Sequence, residues 1–477
     1  MVGLHSALSK NNRIFGRSDG VTGLGYLPYR LKRYYPQAND ESFSFLGRIW
    51  SLLDHEQRSS MNTESTPSPA LYLDRHVAEL TGFLQQLIRL RTVNPPGENY
   101  GEITELLAAT LRAIGLDTRH ISIPRALQKK TQPDQLEYPR YNVIGFWDTG
   151  AKETVHFNAH YDVVPVSGKW KHGDAFNPVV EQGWIYGRGT SDMKGAITSI
   201  IFALKALRES DVRPNFNVEV SFTADEETDS VLGAGWAVKH GKLRADYAVV
   251  GEGGEGDAIC CGHNGVVWLN IHVHGKAAHG SMPERGINAL EKMSALVLAF
   301  EPYKRRLARR KFRTPEGKRM SPTVNLGGVF ASGEGGKKNT VPAAASFSID
   351  RRVLPTEDVR AVERELRSFV KSAANKIPGC DITIEKISEN FSCYHQPTHP
   401  LFAAMRQSVA KVRKEKAKFM VSTGFNDMHF FAQVMKIPTL GYGPGGEDFH
   451  AVDERARVKD LVDTAKIYAD LLTTFRG

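Results

Sequence analysis

The sequence predicts an α/β protein that carries a second, α+β domain as an insertion. The chain has 477 residues, about three times the ~150 residues of a typical domain, so at least two hydrophobic cores are expected. In its outer part, short apolar runs alternate with helical stretches, which is typical of βα units. Between residues 263 and 388 the pattern changes to half-exposed strands and amphipathic helices. One domain is therefore expected to interrupt the other.

Residues 1–70 are expected to form a poorly ordered N-terminal extension. Residues 1–60 show no sustained periodicity and lack the apolar core of a secretory signal. The polar stretch after Met61 is typical of an N-terminal leader, so a start of translation at Met61 stays open.

Regular structure is expected from Leu71 onward, and residues 71–262 are assigned to the first part of the outer domain. Apolar residues at spacings of three and four predict a helix that ends at Asn94-Pro95-Pro96-Gly97. Further helical stretches lie at 103–114 and 195–207, and strand-like runs lie at 142–147, 155–164, 184–186, 218–223 and 247–250. Their alternation predicts an α/β layer structure.

The inserted segment has the element order of a ferredoxin-like unit. Strand-like runs at 266–274, 323–330, 343–353 and 381–387 combine with helical stretches at 287–300 and 358–373. The order β-α-β-β-α-β predicts an inserted domain at 263–388, and the outer domain resumes at 389–477.

The composition argues against a membrane protein, a disulfide-rich protein and a nucleic-acid-binding protein. No stretch approaches the roughly 18 apolar residues of a membrane span. The four cysteines (Cys260, Cys261, Cys380 and Cys393) include no Cys-x-x-Cys pair, which favours a reducing cytoplasm. The net charge is +9, but the basic residues are dispersed, and their densest run, 304–313, has the pattern of a solvated helix. The positive excess suits steering of small anionic substrates.

The run at 155–164 contains His160-Tyr161-Asp162. On an extended chain, residues two positions apart share a face, so this imidazole and this carboxylate are expected to lie together. Zinc-binding histidines usually donate their second ring N–H to such a carboxylate. Taken alone, the pair is more often a structural His beside a surface Asp.

The segment Gly187-Arg188-Gly189-Thr190-Ser191-Asp192-Met193-Lys194-Gly195 follows the run at 184–186 and opens a helix. Asp192 is thus placed at a tight strand-to-helix turn, where a carboxylate can offer its two oxygens to two cations. The alternative is that Ser191 or Asp192 merely caps the helix.

Three acidic residues, Asp225-Glu226-Glu227, follow the apolar run at 218–223. Adjacent carboxylates at the mouth of a buried strand repel each other unless a cation neutralises them, so one is expected to bind metal and its neighbour to act as general base. Solvated loop acids are the alternative.

Glu252 and His450 also follow strand-like runs, at 247–250 and 439–442. The carboxyl ends of strands in open α/β sheets meet at one crevice, so these residues are expected to join the other acids and His160. Two His and three carboxylates without thiolates suit zinc or a similar divalent ion. A pair of ions bridged by one carboxylate would favour hydrolysis of an amide.

Together these segments resemble one family, that of acetylornithine deacetylase, succinyl-diaminopimelate desuccinylase and carboxypeptidase G. The resemblance covers about residues 71–475 and implies a zinc-exopeptidase-like catalytic domain with an inserted dimerisation, or lid, domain. It rests on the segments His160-Tyr161-Asp162-Val163-Val164-Pro165, Gly187 to Gly195, Asp225-Glu226-Glu227, Gly251-Glu252 and His450-Ala451-Val452-Asp453-Glu454.

The resemblance implies a ligand set for two Zn²⁺ ions, for which Co²⁺ can substitute. His160, Asp192 and Glu252 would bind one ion, and Asp192, Glu227 and His450 the other. Asp192 would then be the bridging ligand.

It also implies roles for residues that are not ligands. Glu226 would be the general base and proton shuttle, and Asp162 would orient His160. Gly275 to Pro283 resembles the family's lid segment, in which His279 would reach the partner subunit's site of a homodimer and stabilise the oxyanion.

Two further residues, Asn339 and Arg352, match family positions that hold the substrate. A planar guanidinium suits bidentate recognition of a carboxylate. Arg351, one residue away on a strand, faces the other side, so one of the two arginines is a bystander.

These observations predict a dinuclear zinc amidohydrolase that acts on N-acyl amino acids, of the acetylornithine deacetylase or succinyl-diaminopimelate desuccinylase type. Glu252 favours a deacylase, since exopeptidase members tend to carry Asp, but Gly253-Gly254 replaces the usual Pro-Thr or Pro-Ser. A metallo-exopeptidase (carboxypeptidase or dipeptidase) or an aminoacylase is the alternative. A non-catalytic scaffold is disfavoured because every ligand and Glu226 are present.

Overall fold

The computed structural model describes residues 67–252, 256–332 and 337–477. The expected extension up to residue 66, the start at Met61 and the Gly253-Gly254 departure lie outside these residues. The first helix among these residues, α1, spans Pro69–Arg75, so it begins two residues before the expected start. Ser68 explains the earlier start, because its hydroxyl caps the helix by accepting the N–H of Leu71.

A nine-stranded mixed sheet forms the centre of the outer part of the chain. Eight of its strands follow one another across the sheet, and the ninth, β16 (Lys418–Ser422), pairs with β8. In spatial order the eight strands are β1 (Asp117–Ser122), β2 (Tyr141–Trp147), β6 (Asn217–Thr223), β3 (Thr154–His160), β7 (Tyr247–Val250), β17 (Thr439–Gly441), β8 (Ala258–His263) and β15 (Cys393–Tyr394).

Hydrophobic side chains cover both faces of this sheet. On one face, Phe157 and Val249 share a core with Ile197 and Leu461. On the other, Ala248 and Val250 pack with a core that includes Phe431. Strands that are buried on both faces have continuous apolar sequences, and these strands could therefore be predicted from the sequence.

The helices around this sheet are α2 to α6, α10 and α11. They span α2 (Val77–Arg89), α3 (Tyr100–Ala113), α4 (Arg125–Thr131), α5 (Lys194–Glu209), α6 (Ala234–Lys239), α10 (Pro400–Arg413) and α11 (Val458–Thr474). None of the helices in the described part of the chain is long and apolar enough to cross a membrane.

The strands β6, β3, β7 and β17 run parallel, so their carboxyl ends meet at one edge of the sheet. His160 is the last residue of β3, and the Asp225–Glu227 acids follow β6. Glu252 follows β7 by two residues. The predicted convergence of these residues at one edge is therefore confirmed.

A separate four-stranded antiparallel sheet is built from the inserted segment. Its strands are ordered β12 (Thr323–Ser332), β13 (Ala344–Val353), β9 (Gly265–His274) and β14 (Asp381–Asn390), and α7 (Ala289–Leu298) and α9 (Val359–Ala374) pack on one face. Along β13, buried and half-buried residues alternate strictly, because the other face is open. The β-α-β-β-α-β order is that of the predicted ferredoxin-like unit.

One stretch of this unit was predicted wrongly. The basic run 304–313 is helical only in its first part, because α8 (Glu301–Arg309) ends there and a hairpin of β10 (Phe312–Arg313) and β11 (Arg319–Met320) follows. The reason is burial of Phe312 and Met320 against Leu354 and Val421, which the charge of the run conceals.

A small antiparallel sheet joins residues 179–186 to residues 446–457, which are distant in sequence. It is ordered β18 (Gly446–Glu447), β19 (Arg455–Arg457), β5 (Trp184–Tyr186) and β4 (Val179–Glu181). A Cβ on Gly446 would lie 2.1 Å from Ser191 Oγ, so this close approach requires glycine. The sheet thereby brings His450 to the turn that carries Asp192.

Candidate metal centre

His160 is buried at the end of β3, and both ring nitrogens face carboxylates or carbonyls. Its Nδ1 lies 3.0 Å from the carbonyl oxygen of Asp162 and 3.4 Å from Asp162 Oδ1. Its Nε2 lies 3.1 Å from Asp192 Oδ1. The predicted strand to Val164 instead ends at His160, yet Asp162 still contacts the ring.

Asp192 stands between the two histidines. Its Oδ1 faces His160 Nε2, and its Oδ2 lies 3.1 Å from His450 Nε2. His450 Nε2 is also 3.1 Å from Glu227 Oε2. One carboxylate thus offers one oxygen to each side of the centre, as a bridging ligand would.

The candidate ligands form two groups of three that share Asp192. In the first group, His160, Asp192 and Glu252 each place a ligand atom within 4.8 Å of the others. Asp192, Glu227 and His450 do the same in the second. Glu252 Oε2 is buried and has no hydrogen-bond partner in the described part of the chain.

Asp162 holds the turn that carries Glu226 and Glu227 through two hydrogen bonds to its backbone. Asp162 Oδ1 accepts the backbone N–H of Glu226 at 3.1 Å, and its Oδ2 accepts that of Glu227 at 3.2 Å. The backbone at Asp225 is left-handed, with φ 63°, as it is at His450, with φ 61°. Such conformations are uncommon outside glycine and concentrate at functional sites.

Burial and mutual repulsion perturb the carboxyl groups of the centre. Burial, helped by Asp192, raises the pKa of Glu227 to about 7. Burial also raises the pKa values of Glu226 and Glu252 well above their usual range, with repulsion among the acids adding to the effect. A divalent cation would relieve this repulsion by neutralising the acids.

The pKa values of the two histidines are also raised, but by attraction to the acids, whereas the pKa of Asp192 is lowered. Hydrogen bonds to Asp192 and Glu227 raise the pKa of His450 to about 10. Burial lowers the pKa of His160, but hydrogen bonds to Asp162 and Asp192 prevail and leave it well raised. Burial raises the pKa of Asp192, but the hydrogen bonds from both histidines leave it lowered.

The residues present fit a pair of divalent cations. The donors are imidazole nitrogens and carboxylate oxygens, a set that suits zinc and similar ions. The buried Oε2 of Glu252 accepts no hydrogen bond among the described residues and lies 3.8 Å from His160 Nε2, so a cation between the two side chains would satisfy it. A cation bound by His450, Glu227 and Asp192 would displace the protons that the raised pKa values favour on His450 and Glu227.

The loop that carries Asp192 is fixed by Glu454, for which the sequence indicated no role. Glu454 Oε1 accepts the backbone N–H groups of Ser191 at 2.8 Å and Asp192 at 3.1 Å. Its Oε2 accepts from Arg188 Nη1 at 2.7 Å, and both side chains are buried. Glu454 lies in the segment His450 to Glu454, which is one of those that carry the family resemblance. That is the only sequence signal that could have identified it.

Asp225, the first of the three acids, faces away from the two ligand groups. Its Oδ2 accepts from Arg140 Nε at 2.9 Å, and its Oδ1 accepts from Tyr100 and Asn94 at 3.1 Å. Asp225 and Arg140 are fully buried. No sequence pattern links Arg140 to Asp225, because 85 residues separate them.

Asp427 is a second buried acid that the sequence did not indicate. It accepts a short hydrogen bond from Ser230, and its Oδ2 has no partner among the described residues. Its charge acts on His160, Glu226 and Glu252. Because Ser230 lies just after the Glu226–Glu227 turn, its hydrogen bond to Asp427 holds the end of that turn.

His279 and Asn339 lie together on the inserted unit, and neither belongs to a candidate ligand group. The backbone N–H of Gly280 donates to the carbonyl of Asn339 at 2.6 Å, and His279 Nδ1 lies 2.8 Å from Ser281 Oγ. Both His279 and Asn339 are outside the core, and His279 is bonded only to its own loop in the described chain.

The two arginines of β13 face opposite sides of the sheet. Arg352 is half-buried on the open face and pairs with Asp350 at 2.9 Å. Arg351 is fully buried on the helix side, where it pairs with Glu357 at 2.9 Å. The expectation that the two arginines face opposite sides of the strand is confirmed.

Comparison with known proteins assigns the chain to a family. The profile of peptidase family M20/M25/M40 matches residues 156–474, which is more than half of the chain. A succinyl-diaminopimelate desuccinylase of Afipia carboxidovorans is 30% identical over 67% of this chain and 83% of that protein. An acetylornithine deacetylase of Proteus mirabilis is 30% identical over 66% of this chain and 78% of its own length.

Solved structures share the fold. A metallo-carboxypeptidase of family M20 from Sulfolobus solfataricus superposes with a TM-score of 0.68 at 21% identity and covers 83% of this chain and 98% of its own. A dinuclear metal-binding peptidase of the family from Bacillus subtilis has a TM-score of 0.59 at 14% identity over 84% of this chain and 98% of its own. The resemblance inferred from the sequence is thus confirmed: the chain belongs to peptidase family M20/M25/M40 and is a metal-dependent hydrolase of amide bonds.

Proposed function

We propose that this hydrolase releases the amino acid from N-acyl amino acids, as acetylornithine deacetylases and succinyl-diaminopimelate desuccinylases do. The observation that carries the proposal is the pair of ligand groups that share Asp192, with Glu226 Oε2 lying 3.8 Å from His160 Nε2. The two relatives at 30% identity, a desuccinylase and a deacetylase, support this substrate class.

The proposed cofactors are two Zn²⁺ ions, with Co²⁺ able to replace them. His160, Asp192 and Glu252 would hold one ion, and Asp192, Glu227 and His450 the other. When bound, such a pair polarises the scissile carbonyl and makes water more acidic. The remaining chemistry falls to the side chains of the chain itself.

Glu226 is the proposed general base. It lies beside the ligands but belongs to neither ligand group, and desolvation raises its pKa well above the usual range, which strengthens it as a proton acceptor. Glu226 takes a proton from the attacking water and delivers it to the nitrogen of the departing amine. Asp162 fixes this geometry, because it binds the N–H of Glu226 and the ring of His160.

The inserted unit, 263–388, is proposed to act as the lid and dimerisation domain between the two catalytic segments, 71–262 and 389–477. In a homodimer, His279 would enter the partner subunit's site and stabilise charge on the carbonyl oxygen. Arg352 and Asn339 would bind the substrate carboxylate, and Arg352 has its guanidinium on the open face of the sheet. The exposure of His279 within its own chain supports a role between subunits.

A cytoplasmic location completes the proposal. The four cysteines are free thiols, three of them buried, which suits a reducing compartment.

The test is amine release from a panel of N-acetyl-, N-succinyl- and N-formyl-amino acids and dipeptides, with zinc or cobalt restored after chelation. Hydrolysis of an N-acyl amino acid by the wild type, and its loss by about 100- to 10,000-fold in a metal-loaded Glu226→Gln variant, is expected. Hydrolysis of dipeptides alone would make the protein an exopeptidase instead. Hydrolysis of no substrate would point to a scaffold.

A further inference from the structure

Residues 301–319, here called the basic insertion, carry most of the net charge of the protein. They contain nine Lys or Arg and two Glu, a net charge of +7, whereas the whole chain has +9. The segment comprises α8 and the β10–β11 hairpin, which lie between α7 and β12. It is extra to the β-α-β-β-α-β order, so its composition is not required by that fold.

The basic insertion is firmly held by its apolar side. Tyr303 and Leu307 of α8 are buried in the core of the four-stranded unit. The hairpin is anchored by Phe312, and Glu316 Oε1 accepts the backbone N–H of Phe419 at 3.0 Å. The basic side chains therefore project from a fixed scaffold.

Five exposed cations of the basic insertion have no hydrogen-bond acceptor or acidic partner in the described part of the chain. They are Arg305, Arg309, Arg313, Lys318 and Arg319. Elsewhere, many surface cations are paired, as in Lys171 with Glu181 and Lys466 with Asp74.

The arrangement of these cations is unfavourable unless an anion lies against them. Arg305 and Arg309 are four residues apart on α8, where like charges destabilise a helix. Arg313 and Arg319 are directly opposite each other in the hairpin register, where like charges also repel. Two independent repulsions in one short segment indicate a surface made for a polyanion.

The side chains also indicate which polyanion. The only aromatic residues of the basic insertion, Tyr303 and Phe312, are buried, and no large apolar side chain of the segment is exposed. The surface thus has nothing that stacks on unpaired bases or enters a bilayer. Its guanidinium groups suit phosphate oxygens.

We propose that the basic insertion binds the phosphate backbone of double-stranded nucleic acid without reading its sequence. This binding is separate from amide hydrolysis and reverses the expectation of no nucleic-acid partner that the sequence alone suggested. The structure supplies what the sequence pattern lacked: the hairpin places Arg313 opposite Arg319, and five cations of the segment have no partner among the described residues.

The test is fluorescence anisotropy of a labelled 20-base-pair DNA duplex with the full-length, metal-loaded protein over a series of salt concentrations. With five phosphate contacts, the logarithm of the association constant should fall against that of salt with a slope of about −4.5. Arg305→Ala/Arg309→Ala should reduce the steepness of this slope by about 1.8. Lys129→Ala/Lys130→Ala, which removes two exposed cations of α4, should leave the slope unchanged, and both variants should hydrolyse amides normally.

Three results would overturn the proposal. One is no duplex binding at low salt. Another is binding whose slope is the same in Arg305→Ala/Arg309→Ala as in the wild type. The third is binding to phosphatidylserine vesicles or to polyglutamate without binding to the duplex, which would assign the surface to a different partner.

Discussion

Glu454 illustrates how a residue outside the ligand groups fixes a ligand in place. It touches no candidate cation position, yet it accepts two backbone N–H groups of the Asp192 turn and pairs with buried Arg188. The turn is therefore set by a buried ion pair that joins two distant segments.

The Glu454→Gln variant should bind metal about 10- to 100-fold more weakly, because residues that orient ligands have effects of this size. Zinc affinity by competition with a chromophoric chelator measures this directly. Glu447→Gln is the matched control, since Glu447 is exposed in the same segment and pairs with Arg455. Equal zinc affinity in the two variants would contradict the role of Glu454.

The protonation of His450 and Glu227 predicts how metal binding depends on pH. With pKa values of about 10 and about 7, His450 is protonated and Glu227 partly protonated at pH 7 in the metal-free protein. Ligands must lose these protons to bind metal, so affinity should rise with pH through this range, and His450 and Glu227 alone should release about one to two protons per chain at pH 7.

The same shifts give the sign for the stability of the metal-free protein. The raised pKa of His450 contributes stability that is full below its unfolded value of about 6.5 and is lost as pH rises through 10.

The release of protons on metal binding is measured by titrating the metal-free protein with zinc in weak buffer, and His450→Gln should release fewer protons than the wild type. Zinc binding without proton release would refute the assignment.

At the scale of single residues, the sequence predicted the candidate metal ligands, because they lie in the segments that carry the family resemblance. His160, Asp192, Glu227, Glu252 and His450 are brought together as expected. Arg140 and Asp427 were missed, because each is a single residue that meets its partner through long-range folding. Nothing in the local sequence signals such a contact.

At the scale of elements, the turn after β6 depends on the Arg140–Asp225 pair. Arg140 precedes β2, and Asp225 follows β6, which is the neighbouring strand, so the pair ties the two strand ends together. Both groups are fully buried, and removal of one leaves the other charge without compensation.

The Arg140→Met variant should lower the free energy of unfolding by about 3–5 kcal/mol, the usual cost of breaking a buried ion pair. Urea denaturation followed by tryptophan fluorescence measures the loss. Arg125→Met, at an exposed position of α4, serves as the control and should have little effect. A stability of Arg140→Met equal to that of the control would show that the turn does not depend on this pair.

The strands that the sequence revealed are those buried on both faces or strictly alternating, such as β3 and β13. Strand β1 was missed because its sequence, Asp-Thr-Arg-His-Ile-Ser, is polar and lies at the sheet edge. The two-residue strands β10 and β11 were missed because pairing across a hairpin, not local pattern, defines them. Tertiary contacts thus decide the short and edge elements.

At the scale of the whole molecule, the proposed homodimer predicts complementation between inactive subunits. A Glu226→Gln subunit supplies His279, and a His279→Ala subunit supplies Glu226, so a mixed dimer contains one complete site. Random mixing should restore about a quarter of wild-type activity, since half of the dimers are mixed and each has one complete site.

The measurement is hydrolysis after the two variants are co-refolded in equal amounts, with each variant refolded alone as the control. Activity of the mixture no greater than the mean of the separate variants would rule out a role for His279 across subunits.

The shared position of Asp192 is tested most directly by metal content. Wild-type protein, Asp192→Asn, Glu252→Gln and His450→Gln would be loaded with zinc, dialysed and assayed by mass spectrometry. We expect two zinc ions per wild-type chain, one in Glu252→Gln and in His450→Gln, and none in Asp192→Asn, because only Asp192 belongs to both ligand groups. An Asp192→Asn protein that folds and keeps one or two zinc ions would contradict it.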